Sequence, residues 1–270
     1  MRSEGLASTV ATKNGLTEKS RGCISVTVVA GNVEADIREC LETVKWADEI
    51  IVVSSGVDRT AAIGREYTDK VHVKEWAGYG AQKQFALEAA TGEWVLSVDT
   101  DERVSTDLRE EIQNVLANGS AYAGFCIPRR GYFLGHWIKH CGWYPDYQLR
   151  FFRRSKAKTD NRKVHERFIV DGPVGHLKSD LIHYTHPTIE RAIAKGSEYA
   201  ALEAAEKAGK KRVNALVVVL HPVYEFFNCF LVKRGFLDGA YGLMVSLIHA
   251  ISDAQVYMKI WEMQNTPRPD

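Results

Sequence analysis

Cysteine is sparse in this 270-residue chain. Cys23, Cys40, Cys126, Cys141 and Cys229 are odd in number, widely spaced and never form a Cys-x-x-Cys pair. That excludes the usual zinc spacings and any disulfide framework, so reduced thiols in a cytoplasmic protein are expected. An excess of either charge is also missing: 35 Lys and Arg stand against 34 Asp and Glu, for a net +1. No basic footprint for nucleic acid results, and no such partner is expected. Residues 1–22 are polar without an apolar centre, which excludes a secretory signal and predicts a flexible tail. No Gly-x-Gly-x-x-Gly opens the first predicted helix and no Gly-Lys-Ser/Thr occurs, which disfavours a dinucleotide fold and a P-loop. The length suits one large α/β domain, alone or with a helical appendage.

What is present is alternation. Residues 23–30 and 49–53 are β-branched runs, as expected of buried parallel strands, and 70–73 and 93–99 give two more. Between them Ile37, Leu41 and Val44 recur at helical spacing, Asp58 can cap a helix from Arg59, and 81–90 predicts another. Ser105-Thr106-Asp107 starts a helix carrying Leu108, Ile112, Val115 and Leu116, which Asn118-Gly119 stops. Strand alternating with helix over 23–119 predicts a doubly wound, mostly parallel, Rossmann-like sheet, whose ligands bind outside the carboxyl ends of the strands. The loops there are 31–34, 54–58, 78–83 and 99–102. They offer small residues, polar atoms for a base and ribose, a helix N-terminus with Lys83 for phosphate, and carboxylates.

The carboxylates are the focus. Asp99 and Asp101 follow the apolar run Trp94–Val98 two residues apart, so on extended chain both point the same way. Such a pair is costly at a strand end unless a cation neutralises it, and a hard divalent ion carrying a diphosphate meets that need. The competing reading is a solvated turn.

The second half differs. Residues 124–128 and 148–153 predict strands around the aromatic, basic segment 129–147, and 168–170 and 181–184 predict two more. His183 and His186, at i and i+3 on extended chain, have poor metal geometry and are expected to be structural or to support a ligand without binding the metal themselves. From Thr188 the chain becomes helical. Residues 213–232 are apolar but broken by His221, Pro222, Glu225 and Asn228, which disfavours a transmembrane span. An interfacial helix flanked by Lys and Arg, or a buried or oligomer-facing helix pair, are the two readings left.

Ile24-Ser25-Val26, the run from Val44 to Val53, Gly78-Tyr79-Gly80-Ala81-Gln82-Lys83 and Asp99-Thr100-Asp101-Glu102 resemble glycosyltransferase family 2. The branch resembled is the lipopolysaccharide core glucosyltransferases that add glucose to heptose. Tyr144-Pro145-Asp146, Phe151-Phe152-Arg153-Arg154, Val164-His165-Glu166-Arg167 and the run from Lys233 to Gly239 fit it too. The resemblance implies an α/β GT-A fold, with a tail at 1–22, a nucleotide-sugar-binding and catalytic domain at 23–187, and a C-terminal helical extension at 188–270. It implies UDP-glucose as donor, a glycan or glycolipid acceptor, Mg²⁺ or Mn²⁺, inversion at the anomeric carbon, and a cytoplasmic protein peripheral on the inner membrane.

It also implies site residues. Asp99 and Asp101 would serve the metal. Ala30, Asn32, Glu34, Ser54, Gly56, Asp58, Gly80, Gln82, Lys83, Asp99 and Thr100 would serve the nucleotide-sugar. Glu166 is the first candidate for the catalytic base and Asp146 the second. Arg129, Arg153, Trp143 and His165 would meet the acceptor or its phosphates. Two positions depart from the family: Val33 replaces the first acid after Asn32, and Ser54-Ser55-Gly56 replaces an Asp at the end of the second strand. The alternatives are a peptide or other-glycan glycosyltransferase, a non-catalytic nucleotide-sugar-binding relative, and a nucleotidyltransferase. The last should carry a Gly-rich basic loop that Gly31-Asn32-Val33-Glu34 does not provide.

Overall fold

The computed structural model describes residues 22–160, 167–210 and 212–266; apart from Gly22, the expected tail lies outside them. Four parallel strands, β1 (Ile24–Ala30), β2 (Glu49–Ser54), β3 (Val71–Val73) and β4 (Trp94–Asp99), lie in the order β3-β2-β1-β4. Their crossovers carry α1 (Glu34–Glu42), α2 (Thr60–Gly64) and α3 (Tyr79–Ala89). After β4 come the short β5 (Glu102–Val104) and α4 (Thr106–Asn118).

The β-branched runs follow from cover on both faces, and β1 is buried along its whole length. Val26 and Val28 pack with Ile37 and Leu41 of α1 and with Leu108 and Ile112 of α4. Val29 joins Ile51 and Val53 of β2 against Ala86 and Leu87 of α3. Burying each such side chain contributes roughly 1.5–3 kcal/mol. Ser105 caps α4 by accepting from the Leu108 amide at 3.2 Å, and Gly119 ends it at φ 73°.

The second half turns the parallel sheet into a mixed one. Its strands are β6 (Gly124–Phe133), β7 (His136–Trp137), β8 (Asp146–Arg153), β9 (Ala157–Thr159), β10 (Phe168–Val170), β11 (Val174–His176) and β12 (Leu181–His186). β8 runs antiparallel to β4 with Trp94 opposite Arg153 and Leu96 opposite Phe151, so it starts beside the carboxyl edge of β4. Two expectations need correction. β6 extends to Phe133 and takes Arg129 and Arg130 out of the connecting segment. Glu102 belongs to no loop: it opens β5, which pairs antiparallel with β12.

Three helices close the described chain: α5 (Ile189–Lys207), α6 (Ala215–Phe227) and α7 (Gly239–Asn265). Thr188 caps α5 and Asn214 caps α6. A π turn, Asn228–Val232, and a 3-10 turn, Gly235–Asp238, join α6 to α7. α7 starts so close to this turn that a Cβ on Gly242 would lie 1.8 Å from the Gly235 carbonyl oxygen, so only glycine fits. Ala200 and Ala204 of α5 pack with Val256, Tyr257 and Ile260 of α7. Ala192 and Val245 join the helices to Phe133 and Ile138 of the sheet region.

Candidate active site

The carboxyl ends of β1, β2 and β4 come together at one edge. The loops after β1 and β2 are latched to each other. Asn32 Oδ1 accepts from the Val57 amide at 3.0 Å, and Gly56 packs so tightly that a Cβ there would lie 2.4 Å from Asn32 Oδ1. Asp58 accepts from the amides of Thr60 at 3.0 Å and Glu34 at 3.2 Å, while Glu34 accepts from the Arg59 amide at 3.2 Å. The Ala30 carbonyl accepts from the Ser55 amide at 3.0 Å. Ser54 is fully buried and its hydroxyl has no hydrogen-bond partner among the described residues.

Two buried cations organise the acids. Arg150 donates to Asp99 Oδ2 and, at 2.8 Å, to Glu102 Oε1. Lys83 approaches Asp99 Oδ1 at 3.2 Å from the first turns of α3. Glu102 is 0% exposed and also accepts from the Asp99 amide at 2.9 Å, which fixes the turn between the two acids. Burial pushes the Asp99 carboxyl up, but Arg150 and Lys83 outweigh it and hold the group below its ordinary value. The same cluster pushes the Arg150 guanidinium up: burial opposes its charge, and Asp99 and Glu102 prevail.

Asp101 faces other partners. His183 Nε2 lies 3.3 Å and Lys195 Nζ 3.7 Å from its Oδ2. Burial again works against the charged form, and the hydrogen bond and charge of His183 lower the pKa overall. Asp146 is held by Arg129, whose Nε donates at 2.8 Å, and by Gln148 at 2.7 Å. Burial opposes its charge, yet Arg129 keeps its carboxyl below the ordinary value. An acid so paired is a weak proton acceptor.

These groups border a cleft of about 1200 Å³ between the sheet edge and the helical extension. Of the sequence candidates, Asn32, Lys83, Asp99, Thr100, Asp101, Arg129 and Trp143 line it. Arg191 and Lys195 of α5 and His249 and Asp253 of α7 form the opposite wall. Trp143 Nε1 donates to His249 Nε2 at 3.1 Å, tying the aromatic segment to α7. Ala30, Glu34, Ser54, Gly56, Asp58, Gly80 and Gln82 are not among the lining residues. Gln82 is buried, with Nε2 donating to the Glu75 carbonyl at 2.7 Å and Oε1 without a partner among the described residues. The Gly80 carbonyl accepts from Thr159 at 3.3 Å.

Arg153 corrects an expectation. It sits opposite Trp94, at the amino end of β4, and pairs with Glu93, so it cannot share a site with Asp99. Glu166 and His165 lie outside the described residues. Sequence reasoning missed Arg150 and Lys195, and set His183 aside as structural or supporting.

A divalent cation can be tested against the donors present. Asp99 has both carboxylate oxygens engaged by Arg150 and Lys83, whereas Asp101 and His183 present an oxygen and a nitrogen 3.3 Å apart beside the cleft. Among the described residues no group of three or more His, Cys, Asp or Glu side chains is arranged to hold a metal. The donors fit an ion that takes two protein ligands and fills its other positions with phosphate oxygens.

A largely parallel sheet with helices closing a cleft over its carboxyl edge is a GT-A type fold. The mannosyltransferase PcManGT from Pyrobaculum calidifontis, solved with GDP-Man and Mn²⁺, has a similar fold: TM-score 0.50 at 14% identity, covering 94% of this chain and 89% of that one. Residues 25–172 match Glycosyl transferase family 2, and the chain belongs to that family of glycosyltransferases. It is 30% identical over 255 residues to the lipopolysaccharide core biosynthesis glycosyltransferase LpsC of Rhizobium meliloti (strain 1021), covering 87% of this chain and 92% of the relative. An uncharacterized glycosyltransferase of Rickettsia bellii (strain RML369-C) is also 30% identical, over 85% of this chain and 83% of its own length.

Proposed function

We propose that the chain is an inverting, metal-dependent hexosyltransferase that moves glucose from UDP-glucose to a lipopolysaccharide core sugar or a related glycan, working in the cytoplasm at the inner membrane. The observation that carries this reading is the Asp99–Asp101 pair beside a cleft of about 1200 Å³ that also gathers Lys83, Arg129 and Lys195. The likeness to LpsC supports the acceptor class.

In this reading Asp101 and His183 hold Mg²⁺ or Mn²⁺, which when bound would neutralise the diphosphate leaving the sugar. Asp99 acts through Lys83, holding that cation at the cleft where negative charge develops, while the buried Arg150 anchors Asp99 itself. Asn32, Gly56 and Asp58 shape the latched loops against which base and ribose pack. Lys195 and Arg191 lie on the face of α5 that lines the cleft and meet phosphate from the other side. The acceptor hydroxyl loses its proton to a carboxylate as it attacks the face opposite the leaving group. Glu166 is assigned this role ahead of Asp146, whose pairing with Arg129 makes it a weak acceptor of protons.

The test is glucose transfer and nucleotide release with UDP-glucose for the Asp101→Ala, Glu166→Gln and Asp146→Asn variants. Loss of turnover in the first two, with UDP as product and most activity kept in the third, is expected. Pyrophosphate as product would identify a nucleotidyltransferase instead. Tight UDP-glucose binding with no turnover on any acceptor would identify a non-catalytic relative.

A further inference from the structure

In sequence, His221, Pro222, Glu225 and Asn228 disfavour a membrane span over residues 213–232 and leave an interfacial helix open. In the structure the three polar side chains among them are satisfied inside the protein. His221 lies 2.7 Å from Asp253 and 2.8 Å from the Tyr257 hydroxyl, both on α7. Glu225 lies 3.5 Å from Lys233 and 3.9 Å from His249, and accepts from Asn228 at 3.1 Å. What faces outward is apolar: Leu216 is 63% exposed, Val219 62%, Leu220 54%, Tyr224 63% and Val232 75%. On α7, Leu243, Leu247, Ile251 and Met258 are exposed at spacings of three to four residues or twice that, which makes a stripe along the helix. A water-facing helix carries the opposite pattern, with its polar side out. Between the two helices an apolar groove of about 650 Å³ has walls of Val218, Val219, Met258 and Trp261, with Lys259 and Glu262 at its polar border.

The charges say what covers this face. Arg212 lies exposed just before α6 and Arg234 lies exposed just after its π turn. Between Ala215 and Val232 the only acid is Glu225, and it turns inward. A second copy docked symmetrically would set arginine ends against arginine ends. An anionic lipid surface complements both ends, Tyr224 and Trp261 are the aromatic types that settle at a headgroup boundary, and Phe227 and Phe236 add to the apolar face.

We propose that the α6–α7 face is a membrane-docking surface: it lies in the plane of an anionic bilayer, and its groove takes lipid acyl chain with Lys259 beside a headgroup phosphate. The helices lie on the bilayer and do not cross it, although Ala215–Val232 and Gly235–Asn265 are long and apolar enough to do so. The side of α7 that carries Val245, His249, Ser252 and Asp253 lines the cleft and must stay open to a soluble nucleotide. The cleft therefore lies about one helix diameter, roughly 10 Å, above the headgroups, which suits an acceptor sugar carried on a lipid. That last consequence, unlike the docking itself, rests on reading the cleft as the transfer site.

The experiment is co-sedimentation of the full chain with vesicles of phosphatidylcholine alone or mixed with phosphatidylglycerol, in low and high salt. The wild type should bind the anionic vesicles, and bind less as salt rises. Leu220→Glu should lower vesicle affinity at least about tenfold, and Arg212→Gln and Arg234→Gln about fivefold each. Circular dichroism and UDP-glucose binding of the variants should match the wild type, which separates failure of docking from failure of the site. No binding to anionic vesicles, or binding unchanged by Leu220→Glu, would overturn the proposal. A soluble dimer that Leu220→Glu splits, with no vesicle binding, would assign the face to self-association instead.

Discussion

Arg150→Met should be among the most damaging single changes at the sheet edge. Arg150 is 6% exposed and joins Asp99 to Glu102, which is 0% exposed. Methionine has a similar volume and no charge, so the substitution leaves two carboxylates without their shared cation. Breaking a buried pair in this way typically costs about 3–5 kcal/mol. The lower end applies here. Asp99 borders the cleft and keeps Lys83 at 3.2 Å, while Glu102 keeps the Asp99 amide at 2.9 Å and a distant Arg129 at 3.5 Å. A loss of about 3 kcal/mol at pH 7 lowers the melting temperature of a chain this size by roughly 10 °C. The pH dependence is a second check. Without Arg150, Asp99 is no longer held so far below its ordinary value and takes up a proton more readily in the folded state, so the deficit relative to wild type shrinks as pH falls from 7 toward 5. Replacing Glu102 with Gln in the same chain removes one stranded charge and should recover part of the loss. Differential scanning calorimetry from pH 5 to 7 measures all three. A variant melting within about 2 °C of wild type at pH 7 would refute the claim that Arg150 holds the acidic edge together.

Two further changes probe separate parts of the account. Gly56→Ala puts a Cβ 2.4 Å from Asn32 Oδ1, so the latch between the first two loops must open; UDP-glucose affinity measured by calorimetry should fall at least about tenfold, while the melting temperature drops only a few degrees. At the far end of the sheet, Glu49 is 7% exposed, and although burial pushes its carboxyl up, hydrogen bonds from Lys70, Ser25 and Thr91 take its pKa from 4.5 to about 2. The unfolded chain therefore binds its proton first, so this stabilisation is complete above about pH 5 and is lost as pH falls toward 2. Urea titrations of Glu49→Gln should show a deficit on the order of 3 kcal/mol at pH 7 that narrows through that window.

The parts of the molecule legible in sequence are those set by local patterning. The Ile/Val runs of β1 and β2 had to be strands covered on both faces, and the Ser105 cap with Gly119 marked the ends of α4 within a residue. Asp99 and Asp101 could be singled out as acids closing an apolar run, but β4 ends at Asp99 and the turn through Thr100 and Asp101 gives the two acids different partners, so they do not share one side of an extended strand. Those partners could not be singled out. Arg150 meets Asp99 across 51 residues and His183 meets Asp101 across 82, through an antiparallel register that no local signal announces. Glu102 was assigned to a loop because three acids in four residues look solvated; its burial depends on two arginines from β6 and β8. Similarly, the polar residues of α6 argued against a membrane span, but their partners on α7 could not be read from sequence.

In the proposed reading Asp101 and His183 hold a divalent cation against the phosphates of a nucleotide-sugar. Titrating the wild type and Asp101→Ala with UDP-glucose in a calorimeter, with Mn²⁺ present and after chelation, tests it most directly. The account predicts binding that weakens at least about tenfold on chelation in the wild type, and weak, metal-insensitive binding in the variant. Equal affinity in all four titrations would contradict it.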